Sequence, residues 1–140
     1  MWLPCIYVGD NQTTKKSRFN VGRVQNVDGT SHNVEFQLPL PTNRGGLKLY
    51  VSGVRYYVVL ASATNYVDRV RLFGLDTAGT ASTHDDDATN RTSATTLVTN
   101  NFAAVDVSGD AHIWVNMKMV VTAADLLIVH VPCVQCFYGT

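Results

Sequence analysis

Four groups of side chains in this chain have types and spacings that could do chemistry. Cys133-Val134-Gln135-Cys136 shows the C-x-x-C spacing of redox pairs and zinc half-sites. A redox pair opens a helix, whose dipole lowers a thiol pKa, whereas this one lies inside a strand-like apolar run. On a strand, residues three apart point to opposite faces, so chelation by these two alone is awkward. Zinc would need Cys5 and a histidine as well. His84-Asp85-Asp86-Asp87 with Asn90 presents hard oxygen donors, and Asp85, Asp86 and Asp87 are the candidate cation ligands. They lack the spacing of an EF-hand loop, and a solvated acidic loop tip is the plainer reading. His32, His112 and His130 are scattered, and no Ser or Cys stands beside a base at a recognisable spacing. The chain therefore reads as a non-enzyme without a cofactor.

The fourth group is basic. Lys15, Lys16, Arg18 and Arg23 place four of the eleven basic residues within nine positions. Such a cluster is ordinarily a solvated edge strand or arm; the sharper reading is a contact patch for a nucleic acid or an acidic neighbour. Eleven acidic residues balance the eleven basic ones, so net charge is zero. A protein that neutralises many phosphates carries a basic excess, which leaves room for weak nucleic-acid contact only. Three cysteines in 140 residues leave at least one thiol unpaired within the chain, which argues against a disulfide framework and for small buried hydrophobes.

What positions these groups is a β-rich chain. Residues 1–140 read as one domain with enough chain to bury a core, and 46% hydrophobic content lies in the globular range. Glu35 is the only glutamate, whereas Val and Thr abound, a balance that disfavours helix and favours strand. No apolar stretch reaches the roughly 20 residues of a spanning helix. The start Met1-Trp2-Leu3-Pro4-Cys5 lacks the pattern of a secretory leader, so synthesis in a cytoplasm is expected.

From Ala111 to Val121 apolar residues recur at every second position, the period of a half-buried strand. Leu126 to Tyr138 is nearly continuously apolar, as in a strand covered on both faces. The two together predict a long antiparallel hairpin at the centre of the domain. Val34 to Leu40, Leu47 to Ala61 and Tyr66 to Phe73 supply further strands, and Ser52-Gly53 is either a hairpin turn or a bulge. Thr95–Val98 and Phe102–Val107 read as two short strands parted by Thr99-Asn100-Asn101. Asp76 to Thr96 holds almost no large apolar side chain and reads as a long exposed loop. Residues 1–33 are expected to form a partly extended arm. About eight strands and no helix pattern indicate an all-β chain folded as a sandwich or a barrel. Large aromatics on the less apolar strand faces, Trp114 and Tyr57, are candidates for a subunit interface.

This order of arm, strands, small-residue loop and closing hydrophobic strand resembles the small single jelly-roll coat proteins of viruses over residues 34–138. The likeness rests on the strand pattern and the run Leu126 to Tyr138. It implies a single antiparallel β-sandwich, jelly-roll-like, and a viral capsid or virion shell subunit, or a protein decorating a shell, made in the host cytoplasm and residing in the virion. Lateral β-surfaces would bury against copies of the chain in a homo-oligomer. The Gly79–Ser93 loop would face outward, and Lys15, Lys16, Arg18 and Arg23 inward. The chain departs from many RNA-packaging coats in lacking a long Arg/Lys-rich arm. Two other readings stand beside it. One is a carbohydrate- or calcium-binding lectin-like sandwich using Asp85 to Asn90 and Trp114; the other is a filament or phage-tail subunit.

Overall fold

The period-two burial expected of this sequence is realised in the strands that carry the core. The computed structural model describes residues 1–10 and 16–140, and no helix forms among them. The N-terminal strands are β1 (Trp2–Pro4), β2 (Ile6–Asp10), β3 (Ser17–Asn20) and β4 (Arg23–Asn26). Next come β5 (His32–Leu38), β6 (Asn43–Arg44), β7 (Leu47–Val59), β8 (Tyr66–Leu75) and β9 (Ala81–Asp87). The last are β10 (Thr96–Asp106), β11 (His112–Val120), β12 (Ile128–His130) and β13 (Cys133–Gly139). In β5, Val34, Phe36 and Leu38 point inward and are buried, while Asn33, Glu35 and Gln37 point outward. In β11, Ile113, Val115, Met117 and Met119 do the same.

All pairings are antiparallel and form two sheets. In sheet one β7 is central, with β13 and β12 along one side and β10 and β6 along the other. Beyond β13 lies β1, and beyond β12 lie β4 and then β3. Sheet two runs β2-β5-β11-β8-β9. The skeleton has eight strands in chain order, β4, β5, β7, β8, β9, β10, β11 and the interrupted strand β12–β13. Sheet one then reads first-eighth-third-sixth and sheet two second-seventh-fourth-fifth. That is the strand order of a jelly roll, two interlocked Greek keys. The inward faces meet in one apolar core that includes Phe36, Leu49, Leu72, Met117 and Leu127.

Four local expectations need correction. The terminal hairpin does not form: β11 pairs with β5 and β8 in sheet two, and β13 with β7 and β1 in sheet one. Alternation reports that a strand has a buried face but not which strand lies beside it. The 121–127 connection instead crosses the sandwich, and the buried side chain of Asn26 holds it there. The stretch expected as a loop contains β9, the edge of sheet two, in register with β8 from Val70↔Asp87 to Leu75↔Ala81. The two short strands are one, β10, because Thr99, Asn100 and Asn101 pair with Arg55, Val54 and Gly53. The N-terminal residues do not stand off as an arm where they are described, since β1, β3 and β4 belong to sheet one and β2 to sheet two.

Ser52-Gly53 is a bulge inside β7: Gln135 pairs with Gly53 and Cys136 with Val51, which leaves Ser52 extra. The bulge shifts the buried phase from Leu49 and Val51 to Val54, Tyr56 and Val58. A side chain at position 53 would begin 3.0 Å from the Trp2 ring and 2.9 Å from Asn101 Oδ1, so glycine is what lets these two side chains lie against the strand.

Candidate functional site

The groups singled out by type and spacing do not converge. Asp85, Asp86 and Asp87 lie along β9 and each takes a different partner. Asp85 accepts from Asn100 Nδ2 at 2.6 Å, Asp86 from Arg69 Nε and Nη2 at 2.6 and 2.7 Å, and Asp87 from Arg91 at 2.5 Å. Among the described residues no three His, Cys, Asp or Glu side chains gather around a common point for a metal ion. Cys5 and Cys136 are buried and Cys133 half-buried, all free. Burial first, and then the neighbouring Cys133 and Cys136, push the Cys5 thiol up to about 12. Burial raises Cys136 as well. Thiols held protonated in this way are poor nucleophiles and poor ligands.

In the basic cluster, Lys15 lies outside the described residues. Lys16 Nζ binds Asp28 at 2.9 Å, and Arg18 binds Asp125 at 2.8 Å and Gln25. Arg23 is exposed, opposite His130 in the β4–β12 ladder. The cluster is thus partly spent on ion pairs. Trp114 and Tyr57 lie on outward faces of different sheets, so no single flat contact uses both.

Spacing alone gave no hint of two side-chain pairs. Ser17 Oγ lies 2.5 Å from His32 Nε2, and His32 Nδ1 lies 2.8 Å from the Thr30 carbonyl. This has the bonding pattern of a nucleophile and its base. Ser17 and His32 are 0% and 3% exposed, however, so no substrate reaches them, and the pair braces β3 against β5. His84 Nε2 lies 2.7 Å from Asp110 Oδ2, and this pair ties β9 to the β10–β11 turn.

The richest surface is the outward face of sheet one, where register aligns residues from both ends of the chain. Residues directly opposite in a ladder share a face. Leu97 faces Tyr57 across β10–β7, Tyr57 packs on His130 at 5.7 Å between ring centroids, and His130 faces Arg23. The next row holds Thr99, Arg55 and Cys133. Beyond it Trp2 reaches across β13 over the bare backbone of Gly53, and the Arg55 guanidinium sits 4.5 Å from the Trp2 ring centroid. Tyr50 and Phe137 stack further along at 5.2 Å. A hollow of ≈ 380 Å³ opens among Gly22, Arg55, Tyr57, Leu97, His130 and Val131. Two carboxylates on this face, Asp106 and Asp125, are bound to Lys48 and Arg18. Arg23 and Arg55 have no ion-pair partner among the described residues. The face therefore carries surplus positive charge interleaved with aromatic rings, on a chain whose net charge is zero.

The outward face of sheet two is different. Arg71 Nη2 donates to Asn116 Oδ1 and Asn116 Nδ2 to Glu35 Oε1, both at 3.3 Å. Phe73 stacks beside Trp114 at 6.5 Å. Glu35, Arg71, Phe73, Thr83 and Asn116 line a shallow hollow of ≈ 210 Å³. Ile6 and Val8 stand exposed at the β2 edge of this face.

No protein-family model matches the chain, and no curated protein matches it in sequence.

Proposed function

We propose that this chain is a self-assembling structural protein, the repeating subunit of a virion shell. The observation that carries the reading is the flank where β2 and β3 close the sandwich. Tyr7 and Phe19 stack there at 5.2 Å, while Ile6 (56%), Val8 (51%), Phe19 (48%) and Val21 (87%) remain exposed. Apolar side chains gathered along an open strand edge are a surface that other chains cover. The jelly-roll order supports the reading without deciding it, since lectin domains and cupins share the architecture. Trp114 would join the lateral contact, because it lies on the same outward face as Ile6 and Val8.

Light scattering over a concentration series, with negative-stain microscopy, tests the proposal. Closed particles many times the mass of one chain are expected; rods would point to a filament or tail subunit. A lone subunit at high concentration would overturn both. The second reading, a sugar-binding sandwich, is favoured by the Phe73–Trp114 pair beside the Glu35–Asn116–Arg71 hydrogen bonds. Rings beside paired donors and acceptors are what a hydroxylated ligand needs. A monodisperse monomer whose melting temperature rises with added monosaccharide would establish it.

A further inference from the structure

The geometry points to the outward face of sheet one as a binding surface for single-stranded nucleic acid, read by stacking and charge rather than by base sequence. The parts come from five strands: Arg23 of β4, Arg55 and Tyr57 of β7, Leu97 of β10, His130 of β12 and Trp2 of β1. Outward positions on one strand recur about every 6.6 Å, and neighbouring strands lie about 4.8 Å apart. The face therefore offers ring surfaces and guanidinium groups side by side over several nucleotides. Rings accept any base because every base has a π face, and arginines take the phosphates. Tyr57 is 45% exposed and borders the ≈ 380 Å³ hollow, so a base has a ring to lie on and space beside it. Arg55 is already held over Trp2, which positions the cation beside the platform.

Two arguments set this occupant above a second copy of the same face. The cations Arg18, Arg23, Lys48 and Arg55 outnumber the carboxylates Asp106 and Asp125 by four to two. Opposing two such faces would set one net-positive surface against another, and like charges in apposition oppose docking. A bare apolar contact would also not call for a guanidinium on the ring. The inference does not rest on the shell reading, because its rings and cations, Trp2, Tyr57, His130, Arg23 and Arg55, are not the apolar flank residues Ile6, Val8, Phe19 and Val21.

The test is fluorescence anisotropy of a labelled oligo-dT of about twenty nucleotides against the full chain, over a salt series, with heparin as a polyanion lacking bases. Saturable binding is expected, with log K falling against log salt at a slope of about −1.5 to −3, the value for two to four phosphates on a single strand. Tyr57→Ala should weaken oligo-dT by roughly 5- to 150-fold, the range of one lost base stack, and leave heparin binding unchanged. Arg23→Ala with Arg55→Ala should weaken both ligands and flatten the slope. Circular dichroism confirms that each variant is folded. No binding at about 50 mM salt would overturn the proposal. So would equal loss of heparin and oligo-dT binding in Tyr57→Ala, or binding untouched by all three substitutions. Because light scattering on the unbound protein reads assembly independently, failure here leaves the shell proposal standing, and the reverse holds.

Discussion

Asn26 and Leu127 are 101 residues apart in sequence, and the Asn26 side-chain oxygen accepts the Leu127 backbone N–H at 2.9 Å. The same oxygen accepts from Leu126 N at 3.0 Å, and the amide nitrogen donates to the carbonyls of Asp28 and Ala123 at 2.7 and 2.6 Å. Asn26 is 0% exposed; its bond to Leu127 is fully buried, and the other three reach partners at the surface. One side chain thus fixes the segment that carries the chain from sheet two back to sheet one.

Asn26→Ala should therefore be among the most damaging polar truncations in the molecule. It strands two backbone donors and two acceptors; the buried Leu127 N–H costs about 1–3 kcal/mol without a partner, and the other three cost less because water reaches them. Water filling the space left behind recovers part of that. A net loss of about 3 kcal/mol is expected, read from the urea midpoint. A loss under about 0.5 kcal/mol, the size of an ordinary surface change, would show that the crossing is held by something else.

Val21 predicts a gain. Val21 and Gly22 form the β3–β4 turn with φ of 48° and 74°, the both-positive pattern that favours Asn-Gly. A β-branched residue is strained in that region, and Val21 is also 87% exposed. Val21→Asn should stabilise the isolated subunit by about 1 kcal/mol, or about 3 °C in Tm. If the flank mediates assembly, the same change weakens it, so thermal melts of the subunit and light scattering should move in opposite senses.

Much of this fold was legible in the sequence, for identifiable reasons. Val34, Phe36 and Leu38 in β5, and Ile113 to Met119 in β11, announced their faces by period-two burial, because each sheet has one wet side. The buried phase of β7 also jumps at Ser52-Gly53, which marks a bulge once its two neighbours are known. β9 escaped notice because an edge strand can be held by its ladder and by ion pairs. Arg69–Asp86 and Arg91–Asp87 supply what apolar burial does not. The basic aromatic face escaped for a different reason. Trp2, Arg55 and His130 are scattered along the chain, and only the register of β1, β7, β12 and β13 brings them onto one face.

The cysteines should react in a fixed order. With Cys5 pushed up to about 12 and Cys136 raised by burial, neither presents appreciable thiolate near neutral pH. Cys133 is only half-buried and stands beside Arg55 at the edge of the hollow. A thiol reagent at pH 7.5 should label Cys133 first, with Cys5 and Cys136 reacting only after denaturant is added. Mass spectrometry of the labelled peptides reads the order, and early labelling of Cys5 would contradict the burial described.

Three consecutive aspartates in β9 should respond to amide substitution with different signs. Hydrogen bonding from Arg69 holds Asp86 below the ordinary carboxylate range. Burial works to raise Asp87, but bonds from Thr89 and Arg91 carry it below as well. Burial and then the Asp87 charge hold Asp85 above that range. A depressed carboxylate favours the folded state while ionised. Its contribution is complete above the unfolded value and disappears as pH falls toward the lower folded one. A raised carboxylate works the other way, since ionising it opposes folding at neutral pH. Asp86→Asn and Asp87→Asn should thus lower the melting temperature at pH 7 and narrow the gap from wild type below about pH 4. Asp85→Asn relieves the cost of the charge and still offers an oxygen to Asn100 Nδ2, so it should raise the melting temperature at pH 7 or leave it unchanged. Melting curves of the three variants between about pH 3 and 7 separate the cases. A fall at pH 7 for Asp85→Asn as large as that for Asp86→Asn would refute the assignment of opposite roles along one strand.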